Sequence, residues 1–345
     1  MCDVSVILPV YNAGKWLNEC LESVFQQVFK GTLELSVYDD GSQDNSLAIL
    51  EDWKDKLKNK QIKCCLLKGE TSTPKGVGYA RNRAVEKSSG RFLCFLDADD
   101  VMAKERIQVQ YDAAQEHPEA LIGSGFHREP PGSTQRYTQW ANTRTEEQLV
   151  NQIYTSHGPT IAMPTWFCSR KQFDNVGGFS EKGKGIPEDL IFFYKHLDLS
   201  GQVTRVNADL MKYRYHPECT TFSISEDTIW DLRLERFECK ILAHWSHLTI
   251  WNAGKKGRKF YRSLTPENKK KVIAFCDVDV KKIQKGIYIY EESKEVPKPR
   301  IPIIHFRKAK PPIVLCMKMD LTGGNFEENL ASLKLKENID YHYFS

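Results

Sequence analysis

Four short apolar runs, separated by stretches of helical spacing, constrain this chain more than any other feature. Val4 to Leu8 ends at Pro9, Leu33, Leu35 and Val37 alternate, and Lys63 to Leu67 and Phe92 to Leu96 follow. Near-continuous apolar runs of this length read as buried strands. Between them Leu17, Cys20, Leu21, Val24 and Phe25 recur at helical intervals. Leu47, Leu50, Trp53 and Leu57 do the same after the candidate N-caps Ser42 and Asp44. After a loop over Gly69 to Gly78, Tyr79 to Ser89 reads as a helix, and Ala103 to His117 as another, ended by Pro118. This alternation implies right-handed crossovers and an α/β fold: a mostly parallel sheet with helices on both faces.

Such sheets bind ligands outside the carboxyl ends of their strands. Four polar segments fall there: Asn12, Asp39-Asp40-Gly41-Ser42, Lys75 to Arg81, and Asp97-Ala98-Asp99-Asp100. Their convergence on one rim weighs more than any one of them. Further on, residues 124–165 read as a long irregular, polar excursion around Pro130-Pro131-Gly132, of the kind that is often functional. Thr165 to Cys168 is strand-like, Gly177-Gly178-Phe179 is a turn, and Pro187-Glu188-Asp189 opens a helix through Phe192, Phe193 and Leu197. From Ile229 the pattern changes, and a smaller α/β pattern begins at Leu248. The expected division is 1–235 and 236–345, in keeping with two domains for 345 residues.

The totals exclude several classes. A hydrophobic fraction of 41% excludes global disorder, and 49 Lys+Arg against 45 Asp+Glu argues against a nucleic-acid partner. The start, Met1-Cys2-Asp3-Val4, has no basic segment before its apolar run, and no stretch approaches the ~20 apolar residues of a membrane span. A cytoplasmic chain is expected. Ten scattered cysteines without a Cys-x-x-Cys pair argue against a zinc site and read as small buried hydrophobes.

The acidic cluster after Phe92 to Leu96 suits a hard dication, Mg2+ or Mn2+, of the kind that also binds substrate phosphates. A solvated turn is the ordinary alternative, and the strand context favours metal. An acid among Asp39, Asp40 and Asp44 suits a hydrogen bond from a base or ribose, although Ser42 and Asp44 equally suit a helix cap. Lys75-Gly76-Val77-Gly78-Tyr79-Ala80-Arg81-Asn82 puts glycines and an Arg at a helix start, where anions bind, or is simply a flexible loop. Glu188 and Asp189 supply a carboxylate for base catalysis, or two helix-dipole partners. In Tyr213-Arg214-Tyr215-His216, His216 is a candidate metal ligand and Arg214 a candidate phosphate partner.

Val4-Ser5-Val6-Ile7-Leu8-Pro9-Val10-Tyr11-Asn12, Asp39-Asp40-Gly41-Ser42, Ala80-Arg81-Asn82, Phe95-Leu96-Asp97-Ala98-Asp99-Asp100, Gly177-Gly178-Phe179 and Glu188-Asp189 together resemble family 2 glycosyltransferases of the GT-A fold, over roughly residues 1–220. The resemblance implies a nucleotide-diphosphate-sugar donor, usually UDP-linked, with N-acetylglucosamine a candidate sugar. It also implies a divalent metal (Mn2+ or Mg2+) and an inverting displacement. Carried over by motif, Pro9, Tyr11, Asn12, Asp39 and Asp40 lie around the nucleoside, and Arg81 by the ribose or phosphates. Asp97 and Asp99 form the Asp-x-Asp pair, with Asp99 as the metal contact. Asp189 is the base with Glu188 as fallback, and His216 completes the metal shell. No motif specifies the acceptor. A catalytically silent nucleotide-sugar sensor or scaffold is the competing reading. A nucleotidyltransferase is the third, but no Gly-rich loop with Arg and Lys follows the first strand.

The C-terminal part offers Asn252-Ala253-Gly254-Lys255-Lys256-Gly257 after the short strand Leu248 to Trp251, and Asp277 at the end of Val272 to Cys276. This approximates a dinucleotide fingerprint with Asn for the first Gly. A small Rossmann-like lobe is expected, with assembly or partner docking favoured over dinucleotide binding.

Overall fold

The structure is a computed structural model that describes residues 2–155, 158–319 and 321–345. The chain folds as two compact units. One takes in the residues through Val150 together with Gly158–Ser225. The other is Glu226–Ser345 with the short segment that begins at Asn151.

In the first unit β1 (Val4–Val10), β2 (Leu33–Asp39), β3 (Lys63–Lys68) and β4 (Phe92–Phe95) form a parallel wing in the order β3-β2-β1-β4. The crossovers are α1 (Leu17–Phe25), α2 (Ser46–Asn59) and α3 (Val77–Lys87). Helices cover both faces of the wing, so Val4, Val6, Ile7, Leu8 and Val10 are all at most 1% exposed. This double burial is why β1 reads as an unbroken apolar run.

Past β4 the sheet becomes mixed. In chain order it adds β5 (Val101–Met102), α4 (Arg106–Glu116), β6 (Ala120–Glu129), α5 (Gln135–Thr143), α6 (Glu146–Asn151), β7 (Phe167–Ser169), α7 (Arg170–Val176), α8 (Glu188–Asp198) and β8 (Gln202–Arg214). β7 runs antiparallel to both β4 and β6, β8 is parallel to β6, and β5 is antiparallel to β8. The parallel character is therefore confined to the β3-β2-β1-β4 wing and the β6-β8 pair.

Two sequence expectations change here. Much of the supposedly irregular stretch 124–165 is regular, because β6 continues to Glu129 and α5 and α6 follow. β8 was not legible as a strand, since its burial alternates poorly and its register against β6 shifts near Ser124 to His127. All ten cysteines are free. No helix among the described residues is long and apolar enough to cross a membrane.

The second unit carries α9 (Glu226–Lys240), β9 (Leu248–Trp251), α10 (Lys255–Ser263), α11 (Pro266–Lys271), β10 (Val272–Asp277), α12 (Val280–Lys285), β11 (Ile287–Ile289), β12 (Arg300–His305), β13 (Ile313–Leu315), α13 (Asn325–Ala331) and β14 (Tyr341–Tyr343). The strand order is β11-β12-β10-β9-β13-β14, parallel throughout except for the edge strand β11. The chain winds outward from β9 in both directions, which is the Rossmann-like arrangement. The unit begins at Glu226, ten residues before the expected division. The reason is that α9 puts Phe237 against Phe260, Phe344 and Tyr154 of this unit.

Arg106 ties the first unit together below the rim. It is fully buried, donates Nη2–H to the carbonyls of Phe95 and Pro164 at 2.8 Å, and donates Nε–H to Gln110 Oε1 at 2.9 Å. Arg106→Ala orphans buried acceptors at the end of β4 and in the turn before β7. The expected loss is about 3 kcal/mol of unfolding free energy, read as a lower urea midpoint at unchanged slope. A midpoint within error of the parent would show that these bonds are replaceable by water.

Candidate active site

The polar segments gather where the strands end, each placed by its element. Asp39 closes β2, and its Oδ1 accepts the N–H groups of Gly41 (3.1 Å) and Ser42 (2.9 Å). Its Oδ2 is buried without a partner. Asp40 differs: its carboxylate accepts N–H from Lys75 (3.1 Å) and Gly76 (2.8 Å), which pins the glycine loop ahead of α3. Burial pushes the Asp40 pKa up, against those two hydrogen bonds. Of the two acids expected around a nucleoside, Asp39 keeps a free oxygen and Asp40 positions a loop. Tyr11 is 45% exposed beyond β1. Asn12 lies in the left-handed region (φ 49°), and its Oδ1 accepts the Gln43 N–H at 2.7 Å. Pro9 is buried inside β1 opposite Tyr38, so it shapes the strand and presents no face at the rim.

Arg81 sits in α3, 3% exposed, with a carboxylate on each side. Nη2 meets Asp97 Oδ1 and Nη1 meets Glu188 Oε1, both at 2.6 Å. Phe179 lies 5.4 Å beneath the guanidinium. Asn82 then brackets the backbone of Phe179, accepting its N–H at 2.9 Å and donating to its carbonyl at 3.0 Å. Arg81, expected beside a ribose or phosphate, is thus engaged in joining β4 to α8.

Asp189 follows Glu188 at the start of α8 and is half-buried. Burial and the neighbouring Glu188 charge push its pKa up to about 7. Glu188 is also raised by burial, but the Arg81 guanidinium opposes that shift. Arg81 touches Glu188 directly and Asp189 does not share that contact, so burial and the Glu188 charge act on Asp189 with less opposition.

On the other side of Asp97, Asp99 Oδ2 lies 2.9 Å from His216 Nε2, and His216 packs against Trp16 at 5.2 Å between ring centres. His216 Nδ1 is buried without a partner. Asp100 is fully buried, with Oδ1 accepting the Arg214 N–H at 2.9 Å and Oδ2 unpartnered. Burial first, then the adjoining acids, raise both Asp99 and Asp100. Arg214, expected at a phosphate, is fully used: Nε donates to Glu129 at 2.9 Å, Nη1 to the Asp99 carbonyl at 2.8 Å, and Nη2 to Glu19. Asp99 and His216, with Asp97 nearby, form the donor set that suits a dication.

Sequence reasoning missed Arg128, at the end of β6. Its guanidinium lies 3.7 Å from the Tyr213 ring centre, with Phe126, Tyr215 and Tyr137 at 5.4, 5.5 and 5.8 Å. It donates to Thr134 Oγ1 and the Arg214 carbonyl, and no carboxylate pairs with it among the described residues. With Arg81 and Arg214 engaged, its charge is available to an anionic ligand. Tyr137, from α5, is raised by burial, and Asp189 adds to that shift, so α5 lies within electrostatic reach of the base candidate. Only the alternation of β6 would have hinted at Arg128.

Comparisons with known proteins identify the family and the fold. The model of the family "Glycosyl transferase family 2" matches residues 5–177. The glycosyltransferase GlyG of Streptococcus pneumoniae is 25% identical over 220 residues, covering 61% of this chain and 70% of GlyG. The poly(ribitol-phosphate) beta-N-acetylglucosaminyltransferase TarS of Staphylococcus aureus is 36% identical over 127 residues, which is 35% of this chain and 21% of TarS. The solved structure of S. aureus TarS residues 1–349 in complex with UDP-GlcNAc superposes with a TM-score of 0.55 at 24% identity, covering 75% of this chain and 70% of that one. The shared architecture is the GT-A glycosyltransferase fold.

Arg81→Met removes the cation from between two buried carboxylates. For Glu188, already raised by burial, the opposing guanidinium is lost, so its folded pKa rises further and stability is lost as pH increases through it. The expected penalty is about 3 kcal/mol at pH 8 and smaller at pH 5, measured by urea unfolding at the two values. A penalty independent of pH would sink this account of Arg81.

Proposed function

Since the chain belongs to glycosyl transferase family 2 and is a glycosyltransferase, we propose that it moves a sugar from a UDP-sugar to an acceptor hydroxyl by one inverting displacement, with Asp189 as base. The observation that carries this reading is the double ion pair of Arg81. It sets the acidic end of β4 and the carboxylate pair at the start of α8 in one rigid frame across the same rim.

Each group has a task in this reaction. The free Asp39 Oδ2 accepts the N3–H of a uracil, which rewards a uridine over a cytidine at that point. Arg128 faces the diphosphate and is not committed to another charge. Asp99 and His216 would hold a divalent ion, which would supply positive charge against the departing diphosphate. Asp189 Oδ2 takes the proton of the attacking hydroxyl while the new bond forms at the anomeric carbon and the bond to the diphosphate oxygen breaks. With its pKa near 7, Asp189 is a stronger base than an ordinary carboxylate and still mostly ionised at pH 8. Gly158 lies above it, where an added Cβ would come within 3.7 Å of Asp189 Oδ2. Both this segment and α5 belong on the acceptor side. The donor of S. aureus TarS makes UDP-GlcNAc the first sugar to test.

Titrating the purified protein with UDP-GlcNAc, UDP-Glc, UDP-Gal, GDP-Man and UDP, with and without Mn2+, should give metal-dependent heat for one UDP-sugar. Asp189→Asn should retain that binding and lower turnover by about 10^3-fold or more. Turnover of the parent should fall about tenfold per pH unit below pH 7, because the base is lost on protonation. Full activity in Asp189→Asn would remove this carboxylate from the mechanism. Binding without turnover under every acceptor would instead favour a nucleotide-sugar sensor.

A further inference from the structure

The turn after β8 carries more than the expected histidine. His216, Pro217, Glu218 and Cys219 close a tight loop in which the Cys219 N–H donates to the His216 carbonyl at 3.1 Å. The thiol folds back over the same turn, and the His216 N–H donates to Cys219 Sγ at 3.3 Å. As a result an Asp99 carboxylate oxygen, a His216 ring nitrogen and Cys219 Sγ all lie within 4.8 Å of one another. Three different donors from two distant parts of the chain thus face one small volume. A second observation points the same way: His216 Nδ1 is buried and has no partner, although its ring is held firmly by Trp16 and Asp99. The thiol also lies 4.0 Å from the Arg214 carbonyl.

Resting on the metal-dependent reading above, we infer that Cys219 is a third protein ligand of the cation held by Asp99 and His216, and that the centre therefore favours soft divalent ions over Mg2+. An oxygen-only pair at the end of β4 would suit Mg2+, which binds through carboxylates, phosphates and water. Adding imidazole and sulfur moves preference away from Mg2+ and toward Co2+ and Zn2+. The charges balance well. On coordination the Cys219 S–H bond breaks, its proton goes to solvent, and the resulting thiolate with the Asp99 carboxylate and a neutral His216 offsets the two positive charges. Cys219 is separated from His216 by only two residues, so its loss changes the metal preference without moving the frame that Arg81 maintains.

The test is a titration of reduced, metal-free protein with Co2+ in the presence of UDP, followed in the near ultraviolet. The expected result is a sulfur-to-cobalt charge-transfer band that saturates at one equivalent. Cys219→Ser should lose the band, bind Co2+ and Zn2+ at least about tenfold more weakly, and bind Mg2+ unchanged; far-ultraviolet circular dichroism confirms that the variant is folded, and Cys219→Ala should behave alike. Co2+ binding to the parent without the band, or a band that survives in both variants, would overturn the role of Cys219 while leaving the metal reading intact. No Co2+ binding at all would overturn both.

Discussion

A buried guanidinium between two carboxylates determines how this catalytic rim is built. Arg81 gives up hydration on α3, and that cost is met only because Asp97 and Glu188 each approach to 2.6 Å. Asp97 lies 16 positions from Arg81 in the chain and Glu188 lies 107 positions from it, yet one guanidinium joins all three. Support comes from below. Phe179 packs on Phe95 and Phe192, and Asn82 clasps its backbone from both sides. At Gly178 the approach is so close that a Cβ would meet Asn82 Oδ1 at 3.0 Å, and φ is positive, so glycine is required there. The Ala80-Arg81-Asn82 and Gly177-Gly178-Phe179 motifs are two halves of one clamp.

The clamp leaves the rim short of positive charge. Arg81 cannot neutralise Asp97, Glu188 and Asp189 at once, and Arg214 spends its guanidinium on Glu19 and Glu129. The consequence is uniform in direction: Asp40, Asp99, Asp100, Glu188 and Asp189 are all raised, each chiefly by burial, and all but Asp40 and Glu188 next by a neighbouring acid. Structural ion-pair networks usually lower carboxylate pKa values. A set of acids held together with their values raised is an arrangement that a bound cation relieves, and unpartnered oxygens on Asp39 and Asp100 belong to the same imbalance. This is the physical content behind expecting metal and donor to bind together.

The sequence made the parallel wing and the rim legible, because double burial leaves continuous apolar runs and the carboxyl ends of such strands are marked by acids and glycines. It did not make the division of labour legible. Asp40 and Asp39 look equivalent in Asp39-Asp40-Gly41-Ser42, yet one holds the Lys75-Gly76 loop and the other keeps an oxygen free. Arg81 and Arg214 carry the expected chemistry for phosphate, but hydrogen bonding commits both elsewhere. Arg128, without a carboxylate partner among the described residues, sits on a strand whose register shifts hid its periodicity. Such assignments depend on three-dimensional competition for partners, which spacing alone does not encode.

The second unit shows the same competition in its sharpest form. Its strand order and the loop after β9 reproduce the framework of a dinucleotide fold, but the residues that would read the ligand are turned inward. Asp277 accepts the Ala253 N–H at 2.9 Å and pairs with Lys282 at 3.0 Å, while its other oxygen accepts the N–H groups of Val278 and Asp279. Asn252, at φ 110°, links Gly254 to the Cys316 carbonyl. Trp251 is stacked on Phe306 and edge-on to Phe326 where the strand order reverses. A ribose would have to displace a carboxylate from four existing hydrogen bonds, each replaced at a net cost. In this unit the groups that the fingerprint pattern would turn toward a ligand instead stabilise the loop after β9.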